Sequence, residues 1–103
     1  MPNNSSKRAR TNLVHAGRSP HDNHGVVNPP VYHASTILQP SLDAFEKART
    51  PDWKGYRYGR RGTPTTRAFE EAVANIYSAQ GAVAVSSGLA AVTNSIHACV
   101  KPG

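Results

Sequence analysis

Just over half of the apolar side chains in this 103-residue chain fall between Ala68 and Val100, so the first two thirds can supply only a thin core. A domain of this length, folding alone, buries roughly 60 to 70% of its unfolded surface. With the apolar residues crowded toward one end, the N-terminal part is expected to need a partner surface. The crowded end is itself well patterned. Phe69, Val73, Ile76 and Tyr77 stand at i, i+4, i+7 and i+8, which places them on one helical face as a core-facing stripe, with Arg67, Glu70 and Glu71 elsewhere. Thr63-Pro64 begins that helix, because threonine accepts an orphan backbone N–H and proline at the first position lacks a donor to leave unpaired. It should run to about Ser78. Ala82-Val83-Ala84-Val85 is short, continuous and apolar, which suits a buried parallel strand. After Ser86-Ser87-Gly88 a second helix carries Leu89, Val92, Ile96 and Cys99 at helical spacing. Helix, buried strand, glycine turn and helix together read as α/β, a class that binds ligands at the carboxyl ends of its strands.

Residues 1–40 are rich in Pro, Asn, His and Ser, and Asn28-Pro29-Pro30 restricts the backbone to extended or turn conformations, so this stretch reads as an arm. The polar stretch Met1–Arg10 has no apolar segment after it and reads as a disordered end rather than a secretory signal. Ser41 caps a short helix holding Leu42 and Phe45, which ends near Thr50-Pro51. Trp53, Tyr56 and Tyr58 among Gly55, Gly59 and Gly62 argue for an irregular loop, a common setting for function. Two units follow: 1–62 as arm and interface loop, and 63–103 as the start of an α/β domain.

The net charge is +6, and seven of the eight arginines lie at or before Arg61, which suits a phosphate, a carboxylate-bearing small molecule or a polyanion. The single cysteine, Cys99, excludes a disulfide framework and favours a reducing, cytoplasmic setting. No run approaches the ~18 apolar residues of a membrane helix. His15, His21, His24 and His33 match no structural zinc spacing, so no metal site is expected.

Two segments carry the chemistry. Gly88 opens a helix, where unpaired N–H groups and the dipole attract an anion and the absent Cβ lets it approach. A plain serine cap is the competing reading, and no Gly-Lys-Ser/Thr follows to make a Walker loop. The second is Tyr58-Gly59-Arg60-Arg61-Gly62-Thr63-Pro64-Thr65, aromatic and basic groups run into a helix start. In this order, with the Ser87-Gly88 turn further on, the chain resembles the Cys/Met-metabolism family of pyridoxal-phosphate enzymes. Thr11-Asn12-Leu13-Val14-His15-Ala16-Gly17 and Pro29-Pro30-Val31-Tyr32-His33-Ala34-Ser35-Thr36 are similar to that family's N-terminal arm, so the resemblance spans residues 11–103. Gly59 and Thr63 look most like the cystathionine β-lyase branch; γ-synthases and γ-lyases more often have Ser or Thr and then Asn.

The resemblance implies an N-terminal arm plus the start of the large domain of an aspartate aminotransferase-like, fold type I enzyme with pyridoxal 5′-phosphate as cofactor. It implies that Tyr58 and Arg60 reach across a subunit interface of a dimer or tetramer to the neighbouring protomer's cofactor phosphate. Gly88 and Leu89 would offer backbone N–H groups to the phosphate of their own protomer. Arg61 would face the carboxylate of an amino-acid substrate, the competing reading being a surface ion pair. The implied reaction is β-elimination on cystathionine to homocysteine, pyruvate and ammonia, in methionine biosynthesis; γ-synthase or γ-lyase chemistry is the alternative. The family's catalytic lysine sits in a Ser-x-Thr-Lys setting, which none of Lys7, Lys47, Lys54 and Lys101 matches. No catalytic residue is therefore assigned here, and the fragment alone is expected to be inactive. Two readings of another class stay open: a small basic nucleic-acid binder using Lys7, Arg8, Arg10, Arg57, Arg60 and Arg61 with Trp53, Tyr56 and Tyr58, and a non-catalytic interaction module.

Overall fold

Residues 4–103 are described by a computed structural model. Among these residues four α-helices follow one another, α1 (Asn4–His15), α2 (Leu42–Ala48), α3 (Pro64–Tyr77) and α4 (Gly88–Cys99), with 3-10 turns at Pro20–Asn23 and Gly59–Arg61. The last three helices begin where hydroxyl caps stand. Ser41 Oγ accepts from Ala44 N at 3.1 Å, Thr63 Oγ1 from Thr66 N at 3.3 Å, and Ser87 Oγ from Ala90 N at 3.1 Å. Each bond satisfies one of the N–H groups a helix start leaves orphaned. Pro64 follows the Thr63 cap, and α3 ends as Ser78 turns left-handed at φ 50°.

α1 corrects the expectation of a disordered polar end. Residues 1–3 of that end lie outside the described residues; from Asn4 the chain is helical. Arg and Ala lose little side-chain freedom in a helix, and α1 gains a neighbour by lying against α3. Gly17 makes that approach possible. It sits at φ +71°, and a Cβ there would come within 2.6 Å of the Ala68 carbonyl oxygen of α3.

The expected strand is not formed. Among the described residues there is no sheet, only an isolated antiparallel bridge between Thr36 and Tyr58. Ala82–Val85 runs without strand partners, Val83 is 83% exposed, and the Ala84 N–H donates to Glu70 Oε1 at 2.8 Å instead. A strand exists only as part of a ladder, and no second segment here supplies one. The core-facing stripe of α3 is likewise uncovered: Phe69 is 60% and Tyr77 78% exposed, and Leu89 on α4 is 77% exposed. Ala48 and Thr63 are the buried residues among those described.

The molecule is accordingly open, with a radius of gyration of 17.4 Å against about 13 Å for a compact domain of this length. It is a slab of 58 × 51 × 24 Å. What order the arm has comes from tethers to α3 and to the loop before it. Thr65 Oγ1 donates to the Pro30 carbonyl and accepts from Tyr32 N, both at 2.7 Å, and Gln39 Nε2 donates to the Tyr56 carbonyl at 3.1 Å.

Candidate functional site

The start of α4 is built to leave two donors free. Ser87 is extended, its hydroxyl takes the Ala90 N–H, and its carbonyl takes the Ala91 N–H at 3.1 Å. The N–H groups of Gly88 and Leu89 have no partner among the described residues. Both residues are exposed, and a Cβ added to Gly88 would meet nothing within 4 Å. Two unpaired N–H groups at the positive end of a helix dipole, with open space above them, are suited to a compact anion.

The second half is the turn at Gly59–Arg61. Tyr58 enters it extended at φ −160° and pairs with Thr36, and Gly59 N donates to the Ser35 carbonyl at 2.7 Å. Gly62 leaves it at φ 125°, ψ 150°, a region essentially reserved for glycine. Tyr58, Arg60 and Arg61 are exposed, and their side chains make no hydrogen bond or ion pair among the described residues. One phenol and two guanidinium groups thus stand on a tightly specified turn with their donors unspent. The surface ion pair that competes for Arg61 is not formed here.

Within one chain the two halves do not meet. The Gly59–Arg61 turn and α4 share no contact. Nor do two hollows in the surface bring them together. One of about 740 Å³ lies between α1 and the end of α3, another of about 400 Å³ between the arm and the start of α3, and neither is lined by Tyr58, Arg60, Gly88 or Leu89.

The loop before the turn is held by contacts the sequence did not foretell. Arg67 Nη1 donates to the Lys54 carbonyl at 2.7 Å, and its guanidinium carbon lies 4.4 Å from the centroid of the Tyr56 ring. Arg57 Nη2 donates to the Thr50 carbonyl at 2.8 Å. The Trp53 ring lies against Gly55, and its Nε1 is shielded without a partner among the described residues. Arg67 and Glu70 read from sequence only as polar positions of a helix, and Thr65 only as the end of the Tyr58–Thr65 motif. The one available signal was Arg67 itself, a cation in the first turns of a helix, where the dipole disfavours it.

The family of Cys/Met metabolism PLP-dependent enzymes matches residues 10–103 of this chain. The chain belongs to that family. Over 83 residues it is 52% identical to a putative cystathionine beta-lyase of Rhizobium johnstonii, covering 81% of this chain and 20% of that protein. A cystathionine gamma-lyase of Dictyostelium discoideum is 38% identical over 97 residues, 94% of this chain and 23% of the relative. The crystal structure of metB from Corynebacterium glutamicum superposes with a TM-score of 0.74 at 36% identity, over 92% of this chain and 23% of that one. The chain therefore spans about a fifth to a quarter of the length of the relatives it matches.

The fold is that of the family's fold type I α/β enzymes, represented here by the arm and the first helices of the large domain. The family's cofactor is pyridoxal 5′-phosphate, which carries a phosphate dianion. The residues present fit it. Gly88 and Leu89 offer free N–H groups with room above them, and Tyr58 and Arg60 offer unpaired donors on an exposed turn. A guanidinium fork with a phenol beside it is the donor set that phosphate recognition uses.

Proposed function

We propose that this chain is the cofactor-gripping part of a carbon–sulfur lyase of the cystathionine β-lyase type, acting in methionine biosynthesis in the cytoplasm. Residues 1–62 serve as arm and interface loop, and residues 63–103 open the cofactor-binding domain. The N–H groups of Gly88 and Leu89 hold the phosphate of their own protomer, while Tyr58 and Arg60 hold that of the neighbour in a dimer or tetramer. Arg61 pairs with the carboxylate of the amino-acid substrate. The observation that carries this reading is that both donor sets are exposed and unspent, yet sit on elements that share no contact within one chain. A second protomer removes that separation.

When bound, the cofactor supplies an electron sink for the carbanion at the substrate's α-carbon. This chain's own part is to bind and orient. The α4 dipole and two backbone donors hold the dianion without needing a charged side chain, so the site is preorganised. Arg60 adds charge-assisted hydrogen bonds from the other side, and Arg61 fixes the substrate carboxylate so that the reacting carbon is held in place.

The γ-type reactions are the alternative, supported by the Dictyostelium discoideum gamma-lyase at 38% identity over nearly the whole chain. One experiment separates them. Residues 10–103 replace the matching segment of the Rhizobium johnstonii relative, and the sulfur products formed from cystathionine are followed. Homocysteine with pyruvate supports the β-lyase reading; cysteine as the thiol product refutes it in favour of γ-chemistry. In the same chimera Arg60→Ala should weaken cofactor binding by about 1.5–3 kcal/mol, tenfold or more, as expected for a hydrogen bond to a charged group.

A further inference from the structure

α3 carries a cation where helix electrostatics disfavours one. Arg67 is the fourth residue of α3, close to the positive end of the dipole. Glu71 stands at i+4, the usual partner for such a charge on a helix surface. Yet Arg67 forms no ion pair among the described residues. Its guanidinium turns away, to the Lys54 carbonyl at 2.7 Å and to the face of Tyr56 at 4.4 Å. Both contacts fall on the segment that leads into Tyr58 and Arg60. Tyr56 is also held through its backbone, where its carbonyl accepts from Gln39 Nε2 of the arm. Local preference is overridden here in favour of a long-range contact, which is the pattern expected where a side chain serves a site.

We propose that Arg67 is a positioning residue for the phosphate grip. By clamping Lys54 and Tyr56 to the rigid start of α3, it fixes the path of the chain into the Gly59–Arg61 turn and so sets the direction in which Tyr58 and Arg60 present their donors. This rests on the phosphate role given to Tyr58 and Arg60 above. The clamp matters because the loop has no strand or helix of its own between Ala48 and Gly59. Without it, ordering the loop would fall on the bound anion and weaken binding.

The test uses the 103-residue chain labelled with ¹⁵N, inorganic phosphate as the probe, and two readouts: the order of the amides from Tyr56 to Arg61, and the phosphate-induced shift of the Arg60 guanidinium Nε. Arg67→Ala and Tyr56→Leu are each expected to loosen those amides and weaken phosphate roughly threefold to tenfold, with the double variant no worse than either single one. Tyr56→Phe keeps the ring and should match the parent. Circular dichroism guards against loss of α3 itself. Parent-like amide order and phosphate affinity in Arg67→Ala, or additive losses in the double variant, overturn the proposal alone. In the chimera with the Rhizobium johnstonii relative, where a second protomer is present, Arg60→Ala that leaves cofactor affinity unchanged overturns the phosphate role as well, so the two failures are distinguishable.

Discussion

Gly59 is the point at which the arm and the turn touch. A Cβ at this position would overlap the carbonyl oxygen of Ala34, and the Gly59 N–H already donates to Ser35 at 2.7 Å. Any side chain here forces the arm outward. Gly59→Ser should therefore release residues 34–36 from the turn at a cost of about 1–3 kcal/mol, the usual range for overpacking a close contact. The check is limited proteolysis of the arm, which should speed up while the helical circular dichroism of α3 and α4 stays unchanged. Sequence marked Gly59 as a loop glycine and a branch signature; the structure supplies its mechanical reason, since a side chain at this place needs the Ala34 carbonyl moved aside. Thr65 tethers the arm at a second point, donating to Pro30 and accepting from Tyr32 through one hydroxyl. Thr65→Val keeps the shape and removes both bonds, so it should cost about 1–2 kcal/mol of arm docking. Amide exchange at Tyr32 reports that loss directly.

At the scale of the elements, the three later helices were legible because their signals are local. Ser41, Thr63 with Pro64, and Ser87 each cap the helix that the sequence placed after them, and α2, α3 and α4 begin there. The turn carrying Tyr58, Arg60 and Arg61 was legible through residue order, and the free N–H groups of Gly88 and Leu89 through the glycine at a helix start. What was not legible depends on distant partners. Ala82–Val85 has the composition of a buried strand, but a ladder needs neighbours that these residues do not contain, so the pattern is present without its pairing. α1 was missed because its polar sequence lacks an obvious apolar face, and it lies against α3 by way of a glycine contact at Gly17. The Glu70–Ala84 bond is the tether that holds the unpaired segment leading into α4. Glu70→Ala removes the side-chain acceptor that holds Ala84, and amides 82–89 should broaden or exchange faster while α3 remains helical. Ser87→Ala tests the α4 cap separately. It should destabilise that helix by about 1 kcal/mol, seen as a loss of amide protection at Ala90 in hydrogen exchange.

For the whole molecule, the apolar faces carry the last consequence. α3 and α4 present Phe69, Ile76, Tyr77, Leu89, Val92 and Ile96 to solvent, and buried side chains are almost lacking among the described residues. Cooperative unfolding requires elements to share a core, so that losing one exposes the next. Here α1 and α3 touch, and no other pair of helices does among the described residues. Heating the dilute chain should therefore give a shallow, non-cooperative decline of helical signal, with small heat-capacity change because little apolar surface is newly exposed. The exposed faces should also bind a hydrophobic dye, and the chain should associate as its concentration rises, since large apolar side chains exposed along two helices favour covering by other protein. In the chimera with the Rhizobium johnstonii relative the same residues should unfold in a single sharp transition and bind little dye. A dilute, monomeric chain that melts sharply and ignores the dye would show that these faces close on themselves in solution. In that case Tyr58, Arg60, Gly88 and Leu89 would no longer need a second protomer to be brought together, and the shared-site reading would lose its main support.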